Sequence, residues 1–301
     1  MATSIASRAG SGEVRSRRSR LLTTRKGGRV VTSGAILIAA LAVGLVGPAL
    51  IPYDPLAMRL EERIQPPGSR LANGWVAWFG TDQLGRDLLQ QVVHGARVSI
   101  LVALSTVVIA GCLGTIMGLI AGYAGGATDM IIMRLVDLQL AFPPLLLAIL
   151  ISAVLGPSVL NVILTLSVIR WAVFARLVHG SVLSLREKEF VEAARSLGAP
   201  TFRQVTLHIL PNALGPVIVA GSLDVAAAII AESSLSFLGL GFPPDIPTWG
   251  RILFDAKDNL DFAPHWAIFP GTAIFLTVLS INYIGDGLRD ALDPRKVLGG
   301  K

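Results

Sequence analysis

A chain of 301 residues that is 52% hydrophobic and only 15% charged has too few solvating side chains for an ordinary soluble domain. Its formal net charge of +6 accompanies several apolar runs of about 20 residues, the length a bilayer crossing needs, so the basic balance reads as membrane topology and not as nucleic-acid binding. The single cysteine, Cys112, sits inside an apolar run and excludes a disulfide framework.

Residues 1–30 form a tail rich in Ser, Arg and Gly, in which the bases from Arg8 to Arg29 face one acid, Glu13. This composition predicts a disordered tail, and the positive-inside rule places it in the cytoplasm. Six apolar runs follow, at 32–51, 98–121, 131–154, 160–178, 213–231 and 266–284. They predict an all-α polytopic membrane protein with six transmembrane helices. A cleaved signal peptide is the competing reading of the first run, but a nearly full span ending in Gly-Pro without a small-x-small site favours an uncleaved helix. Six crossings then put both termini in the cytoplasm, together with the loop holding Arg176, Arg186, Lys188, Arg195 and Arg203.

Between the first two runs, prolines and Asp54 break the helix, and Trp75, Trp78 and Phe79 suit the membrane interface or, more sharply, a stacked ligand. Asp82 in the following Phe79-Gly80-Thr81-Asp82 phrase is placed to cap the next helix. The second run repeats Gly114, Gly118 and Gly122, a small-residue face that packs within the subunit or against a partner. Pro143 and Pro144 predict a kink midway along the third run. Intramembrane charges call for partners, and matching depths suggest that Asp137 pairs with Arg170. Asp224 has no evident partner within the chain and is a candidate for the translocation path or for a pair across a subunit interface. Trp249 and the acids Asp255, Asp258 and Asp261 are expected on the outer surface.

The polar stretch 187–216 is patterned as two short helices. Phe190, Ala193, Ala194 and Leu197 recur at helical spacing, Gly198 and Pro200 stop the helix, and Phe202, Val205 and Ile209 begin another before Pro211. Glu192-Ala193-Ala194, then Gly198, then Leu210-Pro211 resemble the EAA motif of ABC-transporter permeases, with His208 standing where the family pattern has Ile. Three further phrases are similar to the C-type permease subunits of dipeptide, oligopeptide and nickel importers. They are FGTDQLGRD at 79–87, ESSLSFLGLG at 232–241 and GDGLRDALDPR at 285–295.

This resemblance implies a type I ABC importer permease fold with a cytoplasmic EAA coupling-helix loop at 187–212. The chain then divides into a basic tail (1–30), a first helix with its outer segment (31–95), a five-helix permease core (96–290) and a C-terminal tail (291–301). It implies that Phe190, Glu192, Ala193, Ala194, Leu197, Gly198, Leu210 and Pro211 dock on an ATPase. The implied partners are two cytoplasmic ATPase subunits, which bind the ATP and Mg, a second homologous permease forming a heterodimer, and a substrate-binding protein. The implied setting is a bacterial inner membrane. The implied cargo is a di- or oligopeptide, with opines, glutathione and nickel chelates as alternatives.

None of Lys26, Lys188, Lys257, Lys296 and Lys301 lies in a phosphate-binding G-x-x-x-x-G-K-[ST] loop, so the chain itself is expected to hold no nucleotide. The histidines His94, His179, His208 and His265 are scattered, which predicts no metal site, no resident cofactor and no catalytic set, and argues against a membrane enzyme. The reading from another class is an ion-coupled secondary transporter using Asp137 and Asp224.

Overall fold

The computed structural model describes residues 34–39, 42–51, 54 and 57–292, so the basic tail at 1–30 and the end of the C-terminal tail lie outside the described residues. The first apolar run contains a short helix, α1 (Gly34–Leu50). It leans on the next helix, α2 (Leu88–Ala124), where a Cβ on Gly44 would stand 3.3 Å from the backbone nitrogen of Arg97. Between them lies a two-residue hairpin, β1 (Ser69–Arg70) antiparallel to β2 (Val76–Ala77).

Capping chemistry sets where α2 begins. Asp87, not Asp82, is the cap: its backbone is extended and its Oδ1 accepts from the Gln90 amide at 3.1 Å. Asp82 folds the preceding turn on itself instead. It accepts from the amides of Leu84 and Arg86, both at 2.8 Å, from Arg86 Nε at 2.6 Å and from Gln91 Nε2 at 2.9 Å. Asp82 is buried, so this set of donors replaces the water it has lost. Gly85 is obligatory in that turn, because at φ +73° a Cβ would lie 1.9 Å from the Arg59 carbonyl oxygen. Trp75 donates its indole N–H to Asp87 Oδ2 at 2.9 Å, and Phe79 stacks on Phe269 with centroids 3.9 Å apart. Burial pushes the Asp87 carboxyl above its usual range, against the pull of the Gln90 amide and the Trp75 indole.

Gly125 and Gly126, both at positive φ, turn the chain into α3 (Gly126–Ala141). The third apolar run is not one kinked helix. α3 ends at Phe142, and α4 (Pro144–Leu155) departs at 93°. Pro144 has no amide to give, so it is tolerated at the first helical position and not within a continuous helix. α5 (Val159–Leu185) follows, then α6 (Glu189–Ser196). α7 runs continuously over Thr201–Phe237. The second short helix predicted before Pro211 is therefore the first two turns of a long span, joined to it by a π-helical turn over Gln204–Ile209. α8 (Trp249–Ala256) and α9 (His265–Leu292) are the last helices among the described residues. Among the described residues, four helices are long and apolar enough to cross a membrane, and the bent α3–α4 pair makes a fifth span if counted as one. α1 is shorter.

The core is organised on the parallel seam between α2 and α5. A Cβ on Gly114 would meet Phe174 Cβ at 2.5 Å, one on Gly118 the Ala175 oxygen at 2.6 Å, and one on Gly122 Val182 Cβ at 2.8 Å. The small-residue face is thus consumed within the subunit and does not face a partner. At the end of the molecule where α2 begins, α8 is wedged between α2 and α7. Trp249 is buried there, contrary to its expected place on the outer surface, and donates its indole N–H to the Val92 carbonyl at 3.0 Å. Asp255 pairs with Arg251 at 3.0 Å, while Asp258 and Asp261 are exposed. The 232–241 phrase continues α7 helically to Phe237, and Glu232 is fully buried, accepting from Ser236 Oγ at 2.9 Å.

Two predictions follow from this packing. Gly118→Leu overpacks the α2–α5 seam and should lower stability by about 1–3 kcal/mol or more. Gly111→Ala, whose Cβ would find its nearest neighbour at 3.9 Å, should be near neutral. Thermal unfolding in detergent compares the two. At the start of α2, Asp82→Ala removes the buried acceptor shared by the Leu84 and Arg86 amides, Arg86 Nε and Gln91 Nε2, and should cost about 3–5 kcal/mol. Asp87→Ala removes a cap worth about 1 kcal/mol. Equal losses in the same assay would contradict the division of roles between the two aspartates.

Candidate functional site

At the end of the molecule opposite α8, the chain leaves the helical bundle and returns through α6. Two faces of this segment do different things. Val191 and Ile209 turn inward onto Val178, Val182 and Leu119 with Leu210 half-buried beside them, and Ala194 is buried as well. Phe190 and Leu197 turn outward, the latter 88% exposed, as does Phe202 at the start of α7, 79% exposed. Glu192, Ala193, Gly198 and Pro211 are also exposed. Of the eight residues expected to face a partner, Ala194 and Leu210 therefore serve mainly to seat the segment on the bundle.

Polar contacts fix the segment in place. Tyr123, at the end of α2, donates its hydroxyl to Gln204 Oε1 at 2.7 Å, and Gln204 Nε2 donates to the Ala199 carbonyl at 2.7 Å. Arg186 donates to the Gly122 carbonyl at 3.0 Å. Gln204 is buried and opens the π-helical turn, so one side chain ties α2, the exit from α6 and the start of α7 together. Gly198 has φ +80° and no atom near a Cβ position, so the requirement there is conformational and not steric. His208 is half-buried, and its carbonyl accepts from Asn212 Nδ2 at 2.7 Å. Sequence reasoning missed Tyr123, Gln204 and Val191. Val191 was legible from its spacing of three to Ala194, but the polar pair is brought together only by the fold.

The intramembrane charges pair differently from expectation. Arg170 bonds Asp224 through both carboxylate oxygens, with Nε 2.6 Å from Oδ2, and Asp137 pairs with Arg176. The depth estimate was sound. Gln139 reaches the carbonyls of Val168 and Ile169 at 2.6 and 2.7 Å, which puts Asp137 level with Arg170. The phase was not: six residues along α5 separate Arg170 from Arg176 by about 120° of rotation, so one faces α7 and the other α3. Asp224 therefore has its partner within the chain. Both carboxylates invoked for ion coupling are occupied by arginines.

A family model described as the binding-protein-dependent transport system inner membrane component matches residues 114–297, more than half of the chain. The chain belongs to that family. It is a multi-pass transport permease subunit, and the ion-coupled reading gives way to it. The permease is 43% identical, over 89% of its own length and 84% of the relative's, to the dipeptide transport system permease protein DppC of Alkalihalophilus pseudofirmus. It is 40% identical to the glutathione transport system permease protein GsiD of Pectobacterium atrosepticum, over 88% of this chain and 86% of that one. Two solved structures share the fold. One, an amino acid ABC transporter, has a TM-score of 0.51 at 15% identity, covering 67% of this chain and 94% of that one. The other, the MetNI methionine ABC transporter, has a TM-score of 0.52 at 18% identity, covering 67% and 96%.

If Gln204 is the tie between these elements, Gln204→Leu should raise amide hydrogen exchange across 199–209 by about tenfold, the effect of one or two lost hydrogen bonds. Membrane-inserted levels should stay unchanged. Exchange mass spectrometry on the purified permease reads both segment and control helices.

Proposed function

We propose that this permease is the C-type subunit of an ATP-driven peptide importer, and that α6 with the start of α7 docks in a groove on a cytoplasmic ATPase. The observation that carries the reading is the two-sided segment 187–212. Its inner face is packed and bonded onto α2, α5 and α7, while Phe190, Leu197 and Phe202 stand exposed beside it. An exposed apolar knob on a short helix is the form in which helix-in-groove recognition occurs. Because the segment is tied to the helix ends through Gln204 and Arg186, a displacement of α6 is passed to α2 and α7 rather than absorbed in a loose loop.

In this reading the loop at 187–212 and both termini are cytoplasmic, as the basic residues require, and α1 is the first of six spans. The α8 end faces outward to a substrate-binding protein. A second, homologous permease completes the pathway, and two ATPase subunits bind the ATP and Mg. The setting is a bacterial inner membrane. The chain contributes no catalytic group. Di- or oligopeptide cargo is supported by the similarity to the dipeptide permease, and a glutathione-like cargo by the similarity at 40% identity to the glutathione permease.

The test is reconstitution of the permease with its partner permease, ATPases and binding protein in proteoliposomes, measuring ATP-dependent uptake of dialanine and of glutathione. Uptake driven by a proton gradient without ATP would contradict the proposal. Leu197→Asp and Gly198→Val should each reduce uptake by at least about tenfold, since each removes an apolar anchor or the positive-φ exit that presents it. Membrane levels should stay near those of the unaltered complex.

A further inference from the structure

At the end of the molecule where α2 begins, a cavity of about 470 Å³ lies outside the helical bundle. Its walls come from stretches far apart along the chain. Asp54 and Arg59 belong to the segment after α1, Asn73 and Trp75 to the β1–β2 turn, and Asp87 and Gln90 to the start of α2. Hydrogen bonds hold these walls together. The Arg59 amide donates to the Leu84 carbonyl at 2.8 Å, the Leu71 amide to the Trp75 carbonyl at 2.8 Å, and the Ala72 amide to the Glu62 carboxylate. The bond from the Trp75 indole to Asp87 fixes the ring where it borders the cavity. Trp78, the other tryptophan considered for ligand stacking, is exposed and does not line it.

We propose that this cavity binds a short zwitterionic peptide on the outer side of the permease, with the ligand carboxylate on Arg59, its ammonium on Asp54 and its peptide unit on the carboxamides of Asn73 and Gln90. The choice of a peptide rests on the importer reading above. Arg59, Arg86, Asp54 and Asp87 all line the cavity, so two guanidinium groups face two carboxylates with no net charge between them. A dipolar ligand complements such a wall, whereas a simple anion or cation meets charge of its own sign. Arg86 is already held by Asp82, but the Arg59 side chain is 42% exposed and stands 3.5 Å from Glu62, longer than a hydrogen bond. Its planar fork therefore has donors to offer a carboxylate. Asn73 spends its carbonyl oxygen on the Trp75 amide at 3.0 Å and keeps its Nδ2 as a donor. Leu71 and the Trp75 ring add apolar surface for a ligand side chain. The volume is that of a small-molecule site, where a protein partner would spread over about 800 Å² of surface.

The probe is a dipeptide of alanine and photoleucine, whose diazirine cross-links on illumination. It is applied to the permease reconstituted with its partner permease and ATPases, without binding protein. Mass spectrometry should place the cross-links in the stretches around Arg59, Trp75 and Asp87. Excess dialanine should suppress them, and N-acetylalanine amide, which carries neither charge, should not. Arg59→Gln should raise the dipeptide concentration for half-maximal cross-linking by about tenfold, the effect of one lost charge-assisted hydrogen bond. Arg63→Gln removes the same charge from an exposed residue outside the lining and should leave that concentration unchanged. Cross-links confined to the bundle helices, equal competition by the uncharged amide, or equal shifts in the two variants would overturn the proposal. Binding protein that shields these stretches from hydrogen exchange, with no dipeptide cross-links in them, would assign the cavity to a protein contact and overturn it as well. Dialanine uptake by the complete complex separates this site from the importer reading. Cross-linking without uptake leaves the site and removes the cargo, whereas uptake without cross-linking removes the site alone.

Discussion

The approach of α2 to α5 is the constraint on which the remainder depends. Three glycines one turn apart remove the Cβ atoms that would hold the two helices away from each other. Side chains of α5 then sit directly on the backbone of α2. In a lipid environment, where burying apolar surface drives little, such contact supplies the dispersion energy that holds helices together. Because the seam extends from Gly114 to Gly122, it fixes both the tilt and the register of α5, and therefore where every charge on α5 points.

Register and phase explain the ionic pattern. Arg170, Arg176 and His179 project from one helix, yet they reach Asp224 on α7 and Asp137 and Asp129 on α3. α5 acts as a basic spine whose partners come from two sides. The same rigid placement makes the α6 end a lever. Val178 and Val182 on α5, with Leu119 on α2, form the seat for Val191 and Ile209, and the hydrogen bond from Tyr123 anchors the turn beyond it. At the other end, α8 is built in by Trp249 and by the close contact of Gly250 with Ser233, with Asp258 and Asp261 among the exposed charges beyond it.

Much of this was legible in the chain itself. Apolar runs located the long helices because span length is set by bilayer thickness and needs no knowledge of neighbours. Gly198 and Gly125 marked real ends, since backbone freedom at those residues is local, whereas the Pro143-Pro144 pair, read as a kink within one helix, separates two helices at 93°. Errors arose where a local rule had two solutions. Asp82 and Asp87 both precede α2, and either could cap it. Only the fold of the turn, with Gly85 against Arg59, gives Asp82 to Arg86 and leaves Asp87 for the helix. Trp249 looked like a surface aromatic because its burial depends on a groove between α2 and α7 that no stretch of sequence displays.

The sequence by itself determined the class of molecule, the positions of most spans and the segment that leaves the bundle, because hydropathy, helix stops and the Glu192 to Pro211 phrase are properties of neighbours along the chain. Tertiary structure alone decided which charges meet, which face of α6 is seated and which is offered, and that α7 runs unbroken through Pro211. Those outcomes depend on helical phase accumulated over tens of residues and on contacts between residues far apart in sequence. A small error in phase turns a side chain from one neighbour to another, as Asp137 and Arg170 show.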